Sequence, residues 1–405
     1  MNILSVNKFY WKKGGSESVF FGEKEMLENG EHKVIPFSME GPENEETPYS
    51  KYFVDNVDYS KPGIKNKLLS ASKIIYSFDA KKKMHELLSN YSPDLAHFHI
   101  FQHQISPSVF GELKKRDIPI LLTLHDLKPL CPNYKMYVNG HVCEECKGRK
   151  FYNCLKNRCT KGSTMGSLVN TIEMYFHYAM GFYQGIDRYI AVSKFYQNKM
   201  IEYGFPSEKI TFLPNYINVS KYDQTIPEEG YILYFGRLSE EKGVSLLIEA
   251  AKITPEVKYY IVGSGPLETE LKRKAEINEL ENISFFGYKS GNELMSILSG
   301  ATCIIVPSLW YEAFGLVITE AFAAGKPVIG SDIGAIPELI EEGVDGFIFP
   351  PGDVVTLAEK ITWIWNNRAA AKEMGLEGRK KVEEHYSAEA QYDCLISIYN
   401  SVLGL

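Results

Sequence analysis

PSLWYEAFGLVITEAFAAGKPVIGSDIG, residues Pro307 to Gly334, is the stretch that decides the fold. It follows an apolar run, Cys303–Val306, that reads as a buried strand. Glu312 comes next, then a turn of small residues, then a helical pattern through Leu316, Val317, Glu320, Ala321 and Ala324. Gly325 and Pro327 stop that helix, and Val328–Ser331 reads as another strand. Glu312 and Glu320 have seven residues between them and bracket the helix start. The free N–H groups there, near Phe314, Gly315 and Leu316, can hold an anion. One carboxylate ahead of a helix and another inside it suit the hydroxyls of a sugar or ribose. Alone, the spacing equally fits two surface glutamates around an ordinary strand–helix turn, so the neighbouring segments must decide.

Strand-like and helical patterns alternate along most of the 405 residues. Strands are expected at Asn2–Val6, His32–Phe37, Asp94–His99, Ile118–His125 and Arg188–Val192, with helices at Ser16–Glu28 and Lys65–Leu88. The pattern loosens over Pro206–Asp223. A second series then begins at Tyr231–Phe235, Tyr259–Val262, Ile283–Phe286, Thr302–Val306 and Val328–Ser331. Such alternation predicts an α/β fold of parallel sheets covered on both faces. The length exceeds one core, so two domains are expected, at 1–215 and 216–387, with a last helix over 388–405.

The formal charge of −7 gives no support to general nucleic-acid binding. The opening MNILSVNKFYWKKGG does not read as a signal peptide, and no apolar run approaches a membrane span. A cytoplasmic chain is therefore expected, and its seven cysteines read as thiols or metal ligands rather than disulfides.

In open parallel sheets, ligands bind beyond the carboxyl ends of the strands. Gly14-Gly15 opens the first helix, where bare backbone lets a phosphate approach. His97, His99 and His103 follow the third strand. They read as buried or acceptor-side histidines, because no acidic metal partner is evident nearby in sequence. His125 and Asp126 close the fourth strand; an imidazole there can bond a sugar hydroxyl or steady charge, and can equally be a packed, hydrogen-bonded side chain. In FGRLSEEKG, Arg237 and Lys242 stand five residues apart before a helix, which suits a diphosphate. Gly263 and Gly265 sit in another strand–turn–helix, IVGSGPLE, and Phe286-Gly287-Tyr288 ends the next strand.

Taken together, these segments resemble the family-4 group of retaining glycosyltransferases, whose signature is a Glu-x(7)-Glu motif. The resemblance spans most of the chain and is most specific from Arg237 to Gly334. It implies the GT-B fold: two Rossmann-like domains with parallel sheets facing across a cleft, the acceptor bound by the N-terminal half, a nucleotide-sugar donor by the C-terminal half, and the last helix returning to the first domain. It further implies that Glu312 binds the donor sugar, that Phe314, Gly315 and Leu316 face sugar and phosphates, and that Glu320 holds the ribose. Arg237 and Lys242 would carry the leaving diphosphate in place of a metal. His125 would contact the donor sugar, Gly15 would lie beside the diphosphate, and Gly263 and Gly287 would wall the nucleotide. A UDP-sugar, a glycan or lipid-linked acceptor and a bacterial surface-polysaccharide pathway follow from the resemblance alone. No Asp-x-Asp pair occurs, which disfavours a metal-dependent transferase of the other fold. Two alternatives stay open: a nucleotide-sugar 2-epimerase of the same architecture, and a non-catalytic binding protein of that shape.

CPNYKMYVNGHVCEECKGRKFYNCLKNRC, residues 131–159, forms a cysteine-rich insert. Cys131, Cys143, Cys146 and Cys159 are the expected ligands of a structural zinc, with Cys154 as alternate; a loop of free thiols is the other reading. Its lysines and arginines precede an aromatic, nearly uncharged stretch, SLVNTIEMYFHYAMGFYQG. That pairing fits either a helix buried on the first sheet or one resting on an anionic membrane at its inner face.

Overall fold

The computed structural model of the protein describes residues 1–56, 71–222 and 228–405. The chain divides into two compact units. The first comprises Met1–Met136, Glu144–Leu213 and Tyr392–Leu405; the second comprises Tyr137–Cys143 and Pro214–Gln391.

The first unit holds β1 (Asn2–Val6), β2 (Lys33–Phe37), β3 (Leu95–Phe98), β4 (Ile120–Leu124), β5 (Arg188–Ala191) and β6 (Ile210–Phe212) in the order β2-β1-β3-β4-β5-β6. Every pairing is parallel. β3 and β4 are buried along their whole length, as apolar runs covered on both faces must be. Ile3, Val34, Leu95, Leu121 and Ile190 of the strands pack with Leu27 of helix α1 (Gly15–Asn29) and with Leu395, Ile398 and Tyr399 of the C-terminal helix Ala388–Leu403.

The second unit holds β7 (Ile232–Phe235), β8 (Tyr259–Val262), β9 (Ile283–Gly287), β10 (Cys303–Val306), β11 (Val328–Ser331) and β12 (Gly346–Phe349) in the order β9-β8-β7-β10-β11-β12, again all parallel. Ile232, Ile261, Ile305 and Ile329 of the strands pack with Leu247, Ile248, Ile361 and Ile364 of the covering helices. Strand order reverses between β7 and β10, so a crevice opens beyond their carboxyl ends. In the first sheet the corresponding reversal lies between β1 and β3.

Both sheets are as expected, with two strands added. Ile210–Phe212 has three residues at a sheet edge, too few to show a period; Gly346–Phe349 is flanked by Gly343 and Pro350 and begins on a glycine, so it reads as part of a turn. The helix expected over Lys65–Leu88 lies partly outside the described residues. Beyond them a separate helix spans Phe78–Asn90, because Ser77 caps it by accepting from the Ala80 N–H at 3.1 Å.

The cysteine insert is better packed than a core-poor loop. Phe151, Cys131, Cys146 and Cys154 are buried in it, and Tyr137–Val138 pairs with His141–Val142 in a short hairpin. Helix α2 (Thr164–Ala179) follows, capped by Ser163. Its buried positions are Ser167, Asn170, Thr171, Glu173, Met174 and His177, whereas Met165, Ile172 and Tyr175 are exposed at 65%, 46% and 42%. The helix is thus neither simply buried nor conventionally amphipathic: its inner face is largely polar and its outer face apolar.

Candidate active site

In the second unit the loops after β7 and β10 meet. Lys242 follows β7 in a single helical turn, and its Nζ donates to Glu312 Oε1 at 2.7 Å. Ser308 Oγ donates to the same oxygen at 2.6 Å. Burial alone would raise the Glu312 pKa; the adjacent Lys242 ammonium and these hydrogen bonds outweigh it, so the carboxyl is held below its ordinary value. Backbone contacts fix this meeting. Leu309 N–H donates to Glu241 O at 2.8 Å, and Ala335 N–H donates to Glu312 O at 3.1 Å. Gly334, at φ +63°, packs so closely that a Cβ would stand 2.5 Å from the Glu312 nitrogen.

Arg237, directly after β7, is exposed, and its guanidinium has no ion-pair partner among the described residues. Its backbone is anchored: Tyr234 Oη donates to Arg237 O at 2.8 Å. The two cations expected to act alike therefore differ. Lys242 is oriented by a carboxylate, and Arg237 reaches into solvent.

Phe314 is buried against Tyr386, ring centroids 5.8 Å apart. Gly315, at φ +101°, is the N-cap of α3 (Leu316–Ala323). No side chain caps this helix; Ile318 N–H already donates to Gly315 O at 2.8 Å, so the first-turn amides that can face an anion are those before it, at Leu316 and Val317. Glu320 lies further along α3 and is partly exposed, yet its apolar surroundings push its carboxyl up to about 7. Gly263 answers first to backbone packing: its N–H donates to Gly287 O at 2.7 Å, and a Cβ would stand 1.8 Å from Gly236 O. Gly287 takes φ +67° at the end of β9. Phe286 is not core; it is 38% exposed and leans on Tyr260 at 4.5 Å.

The first unit gathers a second group at its own strand ends. Gly15 is exposed at the start of α1, but that first turn already carries the buried carboxylate of Glu17, which accepts from Ser16 Oγ at 3.1 Å. His125 closes β4, and its Nε2 lies 2.9 Å from His99 Nδ1. Burial, together with the neighbouring histidines, holds the His125 pKa well below its ordinary value, so the ring is neutral. Asp126, beside it, accepts from the Lys128 N–H at 2.9 Å, while burial raises its carboxyl to about 6.

The acidic partner that local sequence lacked is supplied from far away. Glu23 of α1 sits 2.7 Å from His97 Nδ1 and 3.5 Å from His99 Nε2. His103 belongs to a different cluster: Lys128 Nζ lies 3.3 Å from its Nε2 and donates to Glu173 of α2 at 2.7 Å. Among the cysteines, the Cys131 thiol donates to Asn133 Oδ1 at 2.9 Å, and burial raises its pKa to about 12. A hydrogen bond from Cys159 lowers the pKa of the buried Cys154. Cys146 is buried in the same unit, and Cys143 falls within the second.

The family description "Glycosyltransferase Family 4" matches residues 13–221, more than half of the chain, and "Glycosyl transferases group 1" matches residues 220–381. The chain belongs to glycosyltransferase family 4. It is 31% identical over 223 residues to the amylovoran biosynthesis glycosyltransferase AmsK of Erwinia amylovora, a match covering 52% of this chain and 55% of that one. It is 29% identical over 220 residues to the O-antigen chain mannosyltransferase C of Escherichia coli, covering 53% and 59%. The match thus spans little more than half the length of these curated relatives. Among solved structures, sucrose-phosphate synthase from Thermosynechococcus elongatus has a TM-score of 0.75 at 20% identity, covering 100% of this chain and 99% of that one. Anabaena HepE in complex with UDP-glucose has a TM-score of 0.66 at 19% identity, covering 99% and 100%. These likenesses establish the GT-B fold for this family member.

The raised pKa of Glu320 gives a stability test. The folded state favours the protonated carboxyl, so this group costs nothing below its unfolded pKa, and its penalty grows as pH rises to about 7. Glu320→Gln should therefore leave Tm unchanged at acidic pH and raise it at alkaline pH by about 2–4 °C, the shift roughly 1 kcal/mol produces in a domain of this size. An equal Tm change at both pH values in differential scanning calorimetry would contradict the burial argument.

Proposed function

We propose that this family member is a retaining glycosyltransferase that moves a sugar from a nucleotide-sugar donor, a UDP-sugar by preference, to a glycan or lipid-linked acceptor in bacterial surface-polysaccharide synthesis. The observation that carries this reading is the Lys242–Glu312 pair at the switch point of the second sheet, with Arg237 exposed on the adjoining loop and the uncapped start of α3 next in sequence. The names of the relatives, which concern amylovoran, O-antigen and capsular polysaccharide, support the polymer context.

The donor's diphosphate is held by Arg237, Lys242 and the amides of Phe314, Gly315 and Leu316. Glu312 accepts hydrogen bonds from sugar hydroxyls, Glu320 from the ribose, and His125 of the first unit contacts the reacting sugar. Gly15, Gly263 and Gly287 line the donor's path as backbone. The acceptor oxygen forms its bond to the anomeric carbon on the face from which the diphosphate leaves. The carbon–oxygen bond to phosphate breaks, and the acceptor's hydroxyl proton passes to the departing phosphate oxygen. Fixed cations stabilise the charge growing on that leaving group, and no metal is required for the step.

Arg237→Ala should lower turnover by about 100-fold with a smaller change in donor affinity, whereas Glu320→Ala should mainly weaken nucleotide binding. A thermal-shift screen against UDP-, GDP- and ADP-sugars identifies the donor, and slow release of free nucleotide from it is the expected activity. An epimerised sugar would instead identify a 2-epimerase, and neither product a binding protein. Unchanged nucleotide affinity in Glu320→Ala would remove the ribose assignment.

The outer face of α2 supports contact with the cytoplasmic side of a membrane. Exposed Met165, Ile172, Tyr175 and Met180 stand beside the exposed cations Lys150, Lys156, Arg158 and Lys161. Among the described residues no helix is long and apolar enough to cross a membrane. Binding to phosphatidylglycerol vesicles should weaken at least ~tenfold when Lys156 and Arg158 are both changed to Ala, since each basic residue contributes about 1 kcal/mol there. Equal binding to neutral vesicles would count against the surface.

A structural zinc on Cys131, Cys143, Cys146 and Cys159 completes the proposal. Cys154, which shares a hydrogen bond with Cys159, is the alternate ligand. Elemental analysis of protein purified without added metal should give about one zinc per chain. A metal-free, fully folded protein would end this part of the reading.

A further inference from the structure

None of the roles above uses Glu23, although it is a buried acid, 5% exposed, near the middle of α1. It stands at the head of a chain of imidazoles. His97 Nδ1 lies 2.7 Å from Glu23 Oε1, and His97 is pinned on its other side by Thr123 Oγ1 at 2.7 Å. Tyr399 Oη donates to the same Glu23 oxygen at 3.4 Å. His99 Nε2 approaches that oxygen to 3.5 Å, a charge contact without hydrogen-bond alignment, and His99 Nδ1 meets His125 Nε2 at 2.9 Å. The His99 and His125 rings are stacked, centroids 5.2 Å apart and 20° from parallel, and Phe20 sets its edge against His99 at 5.3 Å. His97, His99 and Tyr399 are almost wholly buried, whereas His125 is partly exposed.

A carboxylate can only accept hydrogen bonds. Burial alone would raise the Glu23 pKa, but the two histidines facing it outweigh that and keep it ionised. The short 2.7 Å contact requires the proton on Nδ1 of His97, and the negative charge of Glu23, 3.5 Å away, favours N–H over a lone pair at Nε2 of His99. Burial lowers the pKa of His99, so that ring is neutral and its Nδ1 is a bare lone pair. With the His99 proton drawn to Nε2 by Glu23, the 2.9 Å contact is met by His125 donating through Nε2–H, which leaves its own Nδ1 unprotonated.

We infer that Glu23 and His99 are positioning residues for His125, fixing its tautomer so that Nδ1 is offered as an acceptor to a hydroxyl of the transferred sugar. This rests on the glycosyltransferase reading and assigns a role to residues outside the donor-binding set. The same geometry admits one rival, because the ligand-type atoms of Glu23, His97 and His99 lie within 4.8 Å of one another, close enough to hold a metal ion. The 2.7 Å Glu23–His97 contact leaves no room for an ion between the two atoms and favours hydrogen bonding over a cation.

Nucleotide-sugar hydrolysis by Glu23→Gln, His99→Gln and His125→Ala, alone and in pairs, tests the inference. Glu23→Gln and His99→Gln should each lower kcat roughly tenfold with little change in KM, and should add nothing in the His125→Ala background. A merely structural role would give the same fractional loss in both backgrounds and would overturn the inference. So would a stoichiometric metal in the wild type that disappears in Glu23→Gln, or full activity in His125→Ala; in that last case transfer itself still stands. A wild type inert toward every donor sinks the wider reading as well. In intact wild-type protein, the 15N resonances of His125 at neutral pH should report Nε2 protonated and Nδ1 bare. The opposite tautomer overturns the inference even where the buried substitutions fail to fold.

Discussion

A carboxylate removed from water must be neutralised where it sits, and the second unit is organised around one such demand. Glu312 is buried at the end of β10, and the ammonium that answers it comes from the loop after β7, 70 residues earlier. Separating the two would leave a buried charge unpaired, a loss of about 3–5 kcal/mol. The pair therefore locks together the loops on either side of the strand-order reversal, the place where a parallel sheet binds its ligand. Close glycine contacts at Gly243 and Gly334 support the lock: at both, a Cβ would strike backbone of the Pro307–Glu312 loop. Binding chemistry and loop packing are here one arrangement.

The positions of the second unit's candidate site residues were largely legible in the sequence because they are local to strand ends. Arg237 follows β7 directly, Lys242 comes five residues later, and Glu312 and Glu320 straddle one helix start. A period-and-punctuation reading finds such positions because strand, turn and helix each leave a mark within a few residues. It failed where the partner is distant or the element short. Glu23 is 74 residues before His97 and looks like any polar position of α1, and Tyr399 is 302 residues after it. β6 has only three residues, too few for a period, and β12 starts on Gly346 and runs into Pro350, so turn residues hide it. Differences in state were also hidden: Arg237 and Lys242 read alike, and only the packing of Glu312 distinguishes the oriented cation from the exposed one.

The first unit shows polar side chains used as core. Its sheet end holds Glu23, His97, His99 and Thr123, and α2 brings Glu173 and His177 inward to meet Lys128 and His103. Most of their donors and acceptors are met, although His99 Nε2, Glu173 Oε1 and His177 Nδ1 are buried without a hydrogen-bond partner. The gain is fixed orientation: a ring held on both nitrogens cannot flip, whereas an apolar core of equal volume leaves neighbours free to repack. The inverted polarity of α2 follows from the same arrangement. With its polar residues turned inward to satisfy buried charge, its apolar residues have only the outside left to occupy.

The C-terminal helix carries a consequence for biogenesis. Leu395, Ile398 and Tyr399 complete the core that Ile3, Leu95 and Leu121 begin, so the first sheet is finished by residues translated only after every strand of the second sheet. Throughout synthesis of the intervening chain, one apolar face of that sheet lacks its native cover and must be shielded by chaperones or by transient contacts. The core of the second unit is drawn from residues between 232 and 374. The sheet translated before the other is thereby completed after it, and its exposure to aggregation lasts as long as synthesis of the chain between them.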